Sequence, residues 1–177
     1  MNEGNRRRKN YLITVNYPIS LESLKKLKNG DKILYSGKII LVTPEALKRL
    51  NKYYQLEGVP LFNFLGEIVT CGTLNLAHGE IKNIDVSKIS EYFEFLFSGG
   101  TNSLIVDKIS NKTLNLLTIY KRPIFKTLEK TINCENSKVL FYKDIKNGGI
   151  IECWTKRHPI EIISFENYDL IGNINNA

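Results

Sequence analysis

The junction between Val42 and Glu45 constrains the fold more than any other part of this sequence. The stretch Lys32–Val42 (KILYSGKIILV) alternates and then becomes continuously apolar, as in a core strand, and its glycine favours two short strands or one strand with a bulge. Thr43-Pro44-Glu45 follows at once, with threonine at the N-cap, proline at the first helical position and glutamate in the first turn. A strand that passes directly into a helix predicts an α/β chain.

The other elements are assigned from periodicity, caps and turn residues. Segments that alternate or are apolar between turns are predicted strands: 11–15, 67–70, 95–97, 113–119, 138–142, 149–154 and 161–163. Segments with helix signals are predicted helices, with a further helical turn in 102–109: 21–27 after Ser20, 44–54, 87–92 and 123–132. Residues 74–80 and 98–101 are predicted loops. The expected fold is α/β, with a mixed sheet flanked by helices.

Length and composition predict one domain. The chain has 177 residues and 42% hydrophobic content, which suffices for one packed core and is short for two. We expect a flexible basic leader over residues 1–10, the domain over 11–172 and a flexible tail over 173–177. No apolar run approaches the roughly 20 residues that span a bilayer, and no apolar stretch follows the leader. These features predict a cytoplasmic protein without a membrane segment.

The cysteines and the charge give weaker signals. Cys71, Cys134 and Cys153 are spaced 63 and 19 residues apart, which fits neither a disulfide framework nor a CxxC metal site and favours reduced thiols. The formal charge of +7 raises a nucleic-acid hypothesis, but the one dense basic run is Arg6-Arg7-Arg8-Lys9. The remaining lysines are typical of solvated helix and turn positions, so nucleic acid is not an expected partner.

Several separated segments follow one another in the order shared by a known family. They are residues 13–31 (ITVNYPISLESLKKLKNGD), 34–39 with 46–49, 66–72 (GEIVTCG), 97–100 and 138–163. In this order the chain resembles the β subunit, or C-terminal domain, of class I fumarases and L(+)-tartrate dehydratases. The second segment is similar to that family's SGTIYTARDAAHKR motif, the third to the strand entering its GPTTSGRMD loop, and the fourth to its Gly-Lys-Gly turn. The resemblance covers nearly the whole chain.

The resemblance implies a fold and a chemistry. The family's β domain is a swivelling β/β/α unit, and its enzymes add or remove water across a carbon–carbon double bond of a small dicarboxylate. An iron–sulfur cluster held by three cysteines of a partner α subunit supplies the Lewis acid. No cofactor is therefore expected in this chain. The implied partners are a cluster-bearing α-type subunit and a small dicarboxylate, and a homodimer is the other assembly considered.

Carried over residue by residue, the resemblance indicates a divergent site. In the motif similar to SGTIYTARDAAHKR, Thr43 occupies the place of the family's carboxylate-clamping arginine, and Pro44 occupies the place of the following aspartate. Lys48 and Arg49 match the Lys-Arg end of this motif. In the segment similar to the Gly-Lys-Gly turn, Gly99 stands where the family has its lysine. The fixed positive charges that complement a dicarboxylate are thus replaced in both of these motifs.

The motif similar to the family's GPTTSGRMD loop, called the middle motif below, has changed most. Gly72 is retained, but Leu74 lies where the catalytic threonine is expected, Asn75 where the second threonine is, and His78 where the arginine is. Leucine cannot replace an oxygen nucleophile or base, so the chain is expected to be inactive as a hydro-lyase by itself. Histidine can still hold a carboxylate when charged or move protons near neutral pH, which makes His78 the candidate catalytic residue. The alternative is an ordinary exposed loop histidine.

The predicted site lies where three loops converge. The candidate substrate-binding residues offer hydroxyl, amide, ammonium and backbone N–H groups: Thr43, Lys48, Thr73, Asn75, Ser98, Gly99 and Gly100. We expect weak dicarboxylate binding that tightens below about pH 6.5 through His78. Cys71 is interpreted as a buried small residue, and His158 as structural or exposed. Two functions remain open: a β-type hydro-lyase subunit, or a non-catalytic assembly, regulatory or anion-binding module.

Overall fold

The computed structural model describes residues 13–141 and 149–164. The strands in these ranges are β1 (Ile13–Asn16), β2 (Lys32–Val42), β3 (Ile68–Asn75), β4 (Glu80–Asn83), β5 (Ser103–Val106), β6 (Ile124–Thr127), β7 (Ile132–Asn133), β8 (Asn136–Phe141) and β9 (Ile150–Ile163). The helices are α1 (Leu21–Lys25), α2 (Pro44–Glu57), α3 (Phe93–Ser98) and α4 (Asn111–Leu117), with 3₁₀ helices at Val86–Tyr92 and Thr118–Tyr120. The leader 1–10 and the tail 173–177 lie outside the described residues.

Five strands close into a mixed barrel. β2, β3, β5 and β6 are parallel neighbours in that order, and the long β9 is antiparallel to both β6 and β2, which completes the ring. β1 extends the ring beside the first half of β2, and β8 pairs with β9. β4 and β7 add an antiparallel extension to β3. The predicted mixed α/β sheet is confirmed, and it closes on itself.

Successive side chains of β2 point alternately into two apolar cores. Ile39 and Leu41 belong to the barrel interior, which they share with Ile68, Phe125 and residues of the other ring strands. Ile40 and Val42 face the opposite way and pack with α2, α3 and the first 3₁₀ helix against the outer face of the sheet. The helices therefore cover one side of the barrel. No helix in the described ranges is both long and apolar enough to cross a bilayer.

Local signals correctly predict the junction between β2 and α2. β2 is one strand, and its pairing with β9 shifts register between Tyr35 and Gly37, as expected for a bulge. Thr43 caps α2, Pro44 occupies its first turn, and Gly58 ends it in the left-handed conformation at φ 72°. The strands predicted at 11–15, 67–70 and 138–142 are also present, although residues 11, 12 and 142 are not described. The segments 149–154 and 161–163 are parts of one strand, β9.

Two predicted strands are helices. The segment 95–97 lies in α3, where Phe93, Phe95 and Phe97 are all buried, and their spacing of two residues imitates a strand. The segment 113–119 lies in α4 and the second 3₁₀ helix. Ser110 caps α4 by accepting a hydrogen bond from the Thr113 N–H at 3.2 Å. The first prediction was wrong because α3 is buried on several sides and loses the 3.6-residue alternation. The second was wrong because the exposed apolar residues Leu116 and Ile119 obscure the helical spacing of the buried residues of α4.

The opposite error, a strand predicted as a helix, was made for β5 and β6, two short strands of the barrel. The helical turn predicted at 102–109 is β5, whose four residues are all buried. The helix predicted at 123–132 is β6 followed by β7. Pro123 suits the first turn of a helix, but here it directly precedes a strand whose place is set by its neighbours β5 and β9.

The loop predicted at 74–80 is mostly a β-hairpin. β3 continues to Asn75 and pairs with β4, so Thr73 faces Lys82 and Asn75 faces Glu80. Gly72 is required at this close approach, since a Cβ there would lie 2.2 Å from the Lys82 carbonyl oxygen. The loop itself shrinks to the turn between Leu76 and Gly79.

Candidate functional site

β2 and β5 end at the same level, beside Cys71 in the middle of β3, where β3 leaves the ring to continue in its hairpin with β4. Val42 of β2 pairs with Cys71 of β3, and Thr70 of β3 pairs with Ile105 of β5. We call this end of the barrel the carboxyl rim and the end at which these strands begin the amino rim. In parallel α/β sheets, ligands bind in the crevice beyond the carboxyl ends of the strands. The carboxyl rim is therefore the first place to look for a site.

Thr43 is held at the carboxyl rim by its own backbone and side chain. It is 3% exposed, and its Oγ1 accepts hydrogen bonds from the N–H groups of Ala46 at 3.4 Å and Gly149 at 2.8 Å. Its N–H donates to the Gly149 carbonyl at 3.0 Å. Thr43 thus ties the start of α2 to the residue before β9. Lys48, the other candidate on this helix, is exposed one turn further along.

Replacing Thr43 by alanine is expected to lower the free energy of unfolding by about 1–2 kcal/mol, because both N–H groups lose their acceptor. Serine keeps the oxygen, so Thr43→Ser is the matched control and should retain most of the stability. Urea unfolding followed by circular dichroism measures both changes. An equal loss in the two variants would mean that the methyl group, and not the oxygen, carries the effect.

Asp85 lies on the carboxyl rim beside β3, because the Ile84 N–H donates to the Cys71 carbonyl at 3.0 Å. The Asp85 carboxylate accepts hydrogen bonds from the Ser87 N–H at 2.9 Å and the Ser87 hydroxyl at 2.8 Å. These bonds lower the pKa of Asp85, and the ammonium groups of Lys88 and Lys108 lower it further. Two exposed ammonium groups therefore act on this carboxylate.

Lys108 and Asp107 are functional candidates that the sequence-based interpretation missed. They follow Val106 at the carboxyl end of β5. A usable signal was present: the buried run Ser103–Val106 (SLIV) is followed directly by polar residues, which is typical of a strand that enters a loop. The interpretation of 102–109 as a helical turn hid that signal.

The predicted residues of the middle motif extend beyond the carboxyl rim on the β3–β4 hairpin. The Asn75 side-chain oxygen accepts from the Ala77 N–H at 3.1 Å, so this amide helps to close the turn. Thr73 and His78 are exposed. Leu74, in the place of the family's catalytic threonine, is half-buried and packs against the barrel interior. Its role in this fold is therefore structural.

The third predicted loop lies at the amino rim, so the three loops do not converge. Gly99 and Gly100 precede β5, and the Gly66 N–H, ahead of β3, donates to the Gly100 carbonyl at 2.9 Å. The length of β5, about 10 Å, separates this turn from the carboxyl rim. Ser98 instead lines a surface groove between α2 and α3, together with Tyr54, Glu91 and Glu94. A small dicarboxylate at the carboxyl rim cannot reach Ser98, Gly99 or Gly100.

A second polar cluster, on the outer face of β2 and β3, has a structural explanation. Lys38 Nζ donates to Glu67 Oε1 at 2.6 Å, and both side chains are 16% exposed. The ammonium group also lies 5.0 Å from the centroid of the Tyr17 ring. Burial opposes the charge of Lys38, but the hydrogen bonds to Glu67 and Tyr17 outweigh it and raise the pKa. The pair is neutral overall and links β2 to β3.

The cysteines do not form a metal centre in the described ranges. Within these ranges no three His, Cys, Asp or Glu side chains are grouped to hold a metal ion. Cys71 is buried, as predicted, and burial together with the Glu45 carboxylate raises the pKa of its thiol to about 12. It is therefore a neutral thiol at the carboxyl rim, suited neither to nucleophilic attack nor to metal binding.

No protein-family model matches the chain, and comparison with curated proteins likewise gives no match.

Proposed function

We propose that this chain is a divergent β-type subunit of an iron–sulfur hydro-lyase of the fumarase and tartrate dehydratase kind, with the swivelling β/β/α fold of that family. In this proposal the carboxyl rim binds one carboxylate of a small dicarboxylate. The observation that carries the proposal is the group of Asp85, Lys88 and Lys108 at the carboxyl rim, beside Cys71 of β3 and after the end of β5. Its two ammonium groups can donate hydrogen bonds to a carboxylate, and its place is where α/β domains bind ligands.

The chemistry is divided between two chains. Lys88 and Lys108 attract and orient the substrate carboxylate, while Asp85 keeps the two ammonium groups from repelling each other. The Lewis acid belongs to the α-type partner. The cysteines of this chain do not fit a three-cysteine cluster, because Cys71 packs in the outer core whereas Cys134 and Cys153 pack in the barrel interior. No catalytic step is therefore assigned to a cluster in this chain.

A specific observation favours the second candidate, a non-catalytic small-anion-binding or assembly module. Thr43 uses its oxygen to hold Gly149, and Leu74 is packed, so two positions of the family's chemistry have structural roles here. Both candidates share the anion site on the carboxyl rim. They differ in whether a cluster-bearing partner gains activity from this chain.

The anion site is tested by titrating malate, fumarate or tartrate into the labelled chain and following amide shifts by NMR. We expect dissociation constants on the order of millimolar, since two solvated lysines supply little binding free energy. The largest shifts should lie near Asp85, Lys88 and Lys108, and they should weaken as salt is added. A double variant, Lys88→Gln with Lys108→Gln, should abolish them.

The matched control removes two charges elsewhere. Lys25→Gln with Lys26→Gln changes two exposed lysines at the end of α1, which precedes the barrel strands, and should leave the binding intact. His78→Ala tests the earlier assignment, because shifts that vanish in that variant would place the carboxylate on the hairpin instead. Equal binding in the rim variant and in the wild type would refute the anion site.

A hydration assay separates the two candidates. Mixed with an α-type hydro-lyase subunit that carries its cluster, the wild-type chain should promote hydration of fumarate or mesaconate, or dehydration of tartrate. The Lys88 and Lys108 double variant should not. Anion binding without any gain of activity would identify the chain as the non-catalytic module.

A further inference from the structure

A threonine, a histidine and a glutamate stand in line where β6 ends. Thr127 is the last residue of β6, Glu129 follows it by two residues, and His158 lies on β9. His158 Nε2 is 2.7 Å from Thr127 Oγ1, and His158 Nδ1 is 3.6 Å from Glu129 Oε2. The two ring nitrogens therefore face a hydroxyl and a carboxylate. We call these three side chains the Thr127 triad, and the anion site proposed for the carboxyl rim uses none of them.

The pairing of β6 with β9 holds the Thr127 triad in place. Thr127 pairs with Ile160, two residues after His158, and the Leu128 N–H donates to the Pro159 carbonyl at 3.1 Å. The Glu129 N–H donates to Thr127 Oγ1 at 3.3 Å. Both the threonine and the imidazole are buried, so packing also restricts their side chains. Reacting groups that are held in a fixed geometry lose little entropy when a reaction occurs.

The Glu129 carboxylate favours one tautomer of His158. A negative charge beside Nδ1 stabilises the ring form that carries its proton on Nδ1, because that N–H points toward the carboxylate. Nε2 is then a hydrogen-bond acceptor, and the Thr127 hydroxyl donates to it. The hydroxyl can also donate to the Glu129 carbonyl at 3.1 Å, but its contact with Nε2 is shorter. Nε2 is thus placed to take the proton of the Thr127 hydroxyl.

The Thr127 triad lies at the carboxyl rim. Val106 of β5 pairs with Lys126 of β6, so Thr127 stands beside the residues that follow β5, which include Lys108. Glu129 is 58% exposed, so the carboxylate end of the triad faces water. A hydroxyl as deeply set as that of Thr127 admits a small group only.

We propose that Thr127 is a nucleophile that accepts the acyl group of small esters, with His158 as its general base and Glu129 as the group that orients the imidazole. Nε2 takes the hydroxyl proton while Oγ1 bonds to the acyl carbon. The bond from that carbon to the alcohol oxygen then breaks, and the leaving oxygen receives the proton from Nε2. Water repeats both steps on the acylated threonine, which releases a carboxylic acid and restores the hydroxyl.

The test incubates the full-length chain with p-nitrophenyl acetate, measures the release of p-nitrophenolate above the spontaneous rate and maps acetylated residues by mass spectrometry. We expect an acetyl group on residue 127. Thr127→Val keeps the shape of the side chain without the hydroxyl and should abolish both signals, whereas Thr127→Ser should keep them. Thr118→Val is the matched control, because the Thr118 hydroxyl donates to the Asn115 carbonyl and not to a histidine.

The other two members of the triad should affect the rate differently. His158→Gln should slow the release by about 100-fold or more, since a general base contributes at least that much. Glu129 is exposed, so Glu129→Gln should slow the release without unfolding the protein, and Glu129→Asp, which keeps a carboxylate, should restore part of it. Circular dichroism establishes that each variant is folded.

The pH profile distinguishes the buried imidazole from the exposed one of His78. Burial lowers the pKa of His158 to about 4, so the release should change little between pH 5 and pH 8. Glu129 faces this imidazole from the segment after β6, and Tyr35 pairs with it on β2, where burial raises the pKa of the phenol and keeps it neutral. Release by an exposed histidine would instead have its midpoint near pH 6.5.

Three results would overturn the proposal: equal release by Thr127→Val and the wild type, acetylation of His78 or lysines without residue 127, or a midpoint near pH 6.5. If His158→Gln does not fold, the acetyl map and the pH profile of the wild-type chain decide the matter by themselves.

Discussion

Replacing Leu41 by alanine should lower the free energy of unfolding by about 3–5 kcal/mol. Leu41 is fully buried in the barrel interior, and its strand is paired on both sides, with β3 and with β9. A closed ring of hydrogen-bonded strands cannot collapse onto the space that the side chain leaves, so most of the cavity should persist. Denaturant unfolding followed by far-ultraviolet circular dichroism measures the loss.

Leu56→Ala is the matched control, because the chemical change is the same and Leu56 is 72% exposed on the last turn of α2. It should change the free energy of unfolding by no more than about 0.5 kcal/mol. Comparable losses in the two variants would contradict the assignment of Leu41 to the barrel interior.

The sequence predicts those parts of the fold that near neighbours determine. β2 and α2 were predicted because the apolar run ends at Val42 and the next three residues supply a cap, a proline and an acidic first turn. The cap works as expected, since Thr43 Oγ1 accepts from the Ala46 N–H. Such signals act within a few residues and do not depend on the rest of the chain.

The remaining elements depend on partners that are distant in sequence. β6 has only four residues, and it is a strand because β5 and β9 lie on either side of it. Nothing within Ile124–Thr127 distinguishes that strand from the first turn of a helix behind Pro123. In α3, burial on several sides removes the helical alternation on which the prediction relied, and in α4 the exposed apolar residues Leu116 and Ile119 obscure it.

The family resemblance placed the Gly99–Gly100 turn at the ligand-binding end, and a helix that began at Asn102 would have suited an anion there. Because Ser103–Val106 is a strand, that turn stands at its start, and Asp107 and Lys108 stand at its end. The direction of a short buried strand thus decides which residues reach a ligand. Thr43 was placed correctly because the strand–helix junction fixes both the element and its direction.

Acid should destabilise the protein through His158. The imidazole is 2% exposed, its Nε2 lies 2.7 Å from Thr127 Oγ1, and burial lowers its pKa from 6.5 to about 4. The Glu129 carboxylate is 3.6 Å from Nδ1, but it is 58% exposed and screened by water. The effect of burial on the pKa of His158 is therefore larger than the effect of this carboxylate. Of the two interpretations given for His158, structural or exposed, the structural one is correct. The folded state therefore keeps this histidine neutral over a range in which the unfolded chain takes up a proton.

The direction in which the free energy of unfolding changes with pH follows from proton linkage. The unfolded state binds a proton near pH 6.5 and the folded state only near pH 4, so the free energy of unfolding falls as the pH drops between these values, by about 3 kcal/mol in all. His158→Gln should flatten this part of the stability curve. The chain has one other histidine, the exposed His78, and His78→Gln should follow the wild type. Chemical unfolding at a series of pH values gives all three curves. If His158→Gln keeps the wild-type slope, carboxylates alone produce the acid sensitivity, and the buried histidine contributes nothing to it.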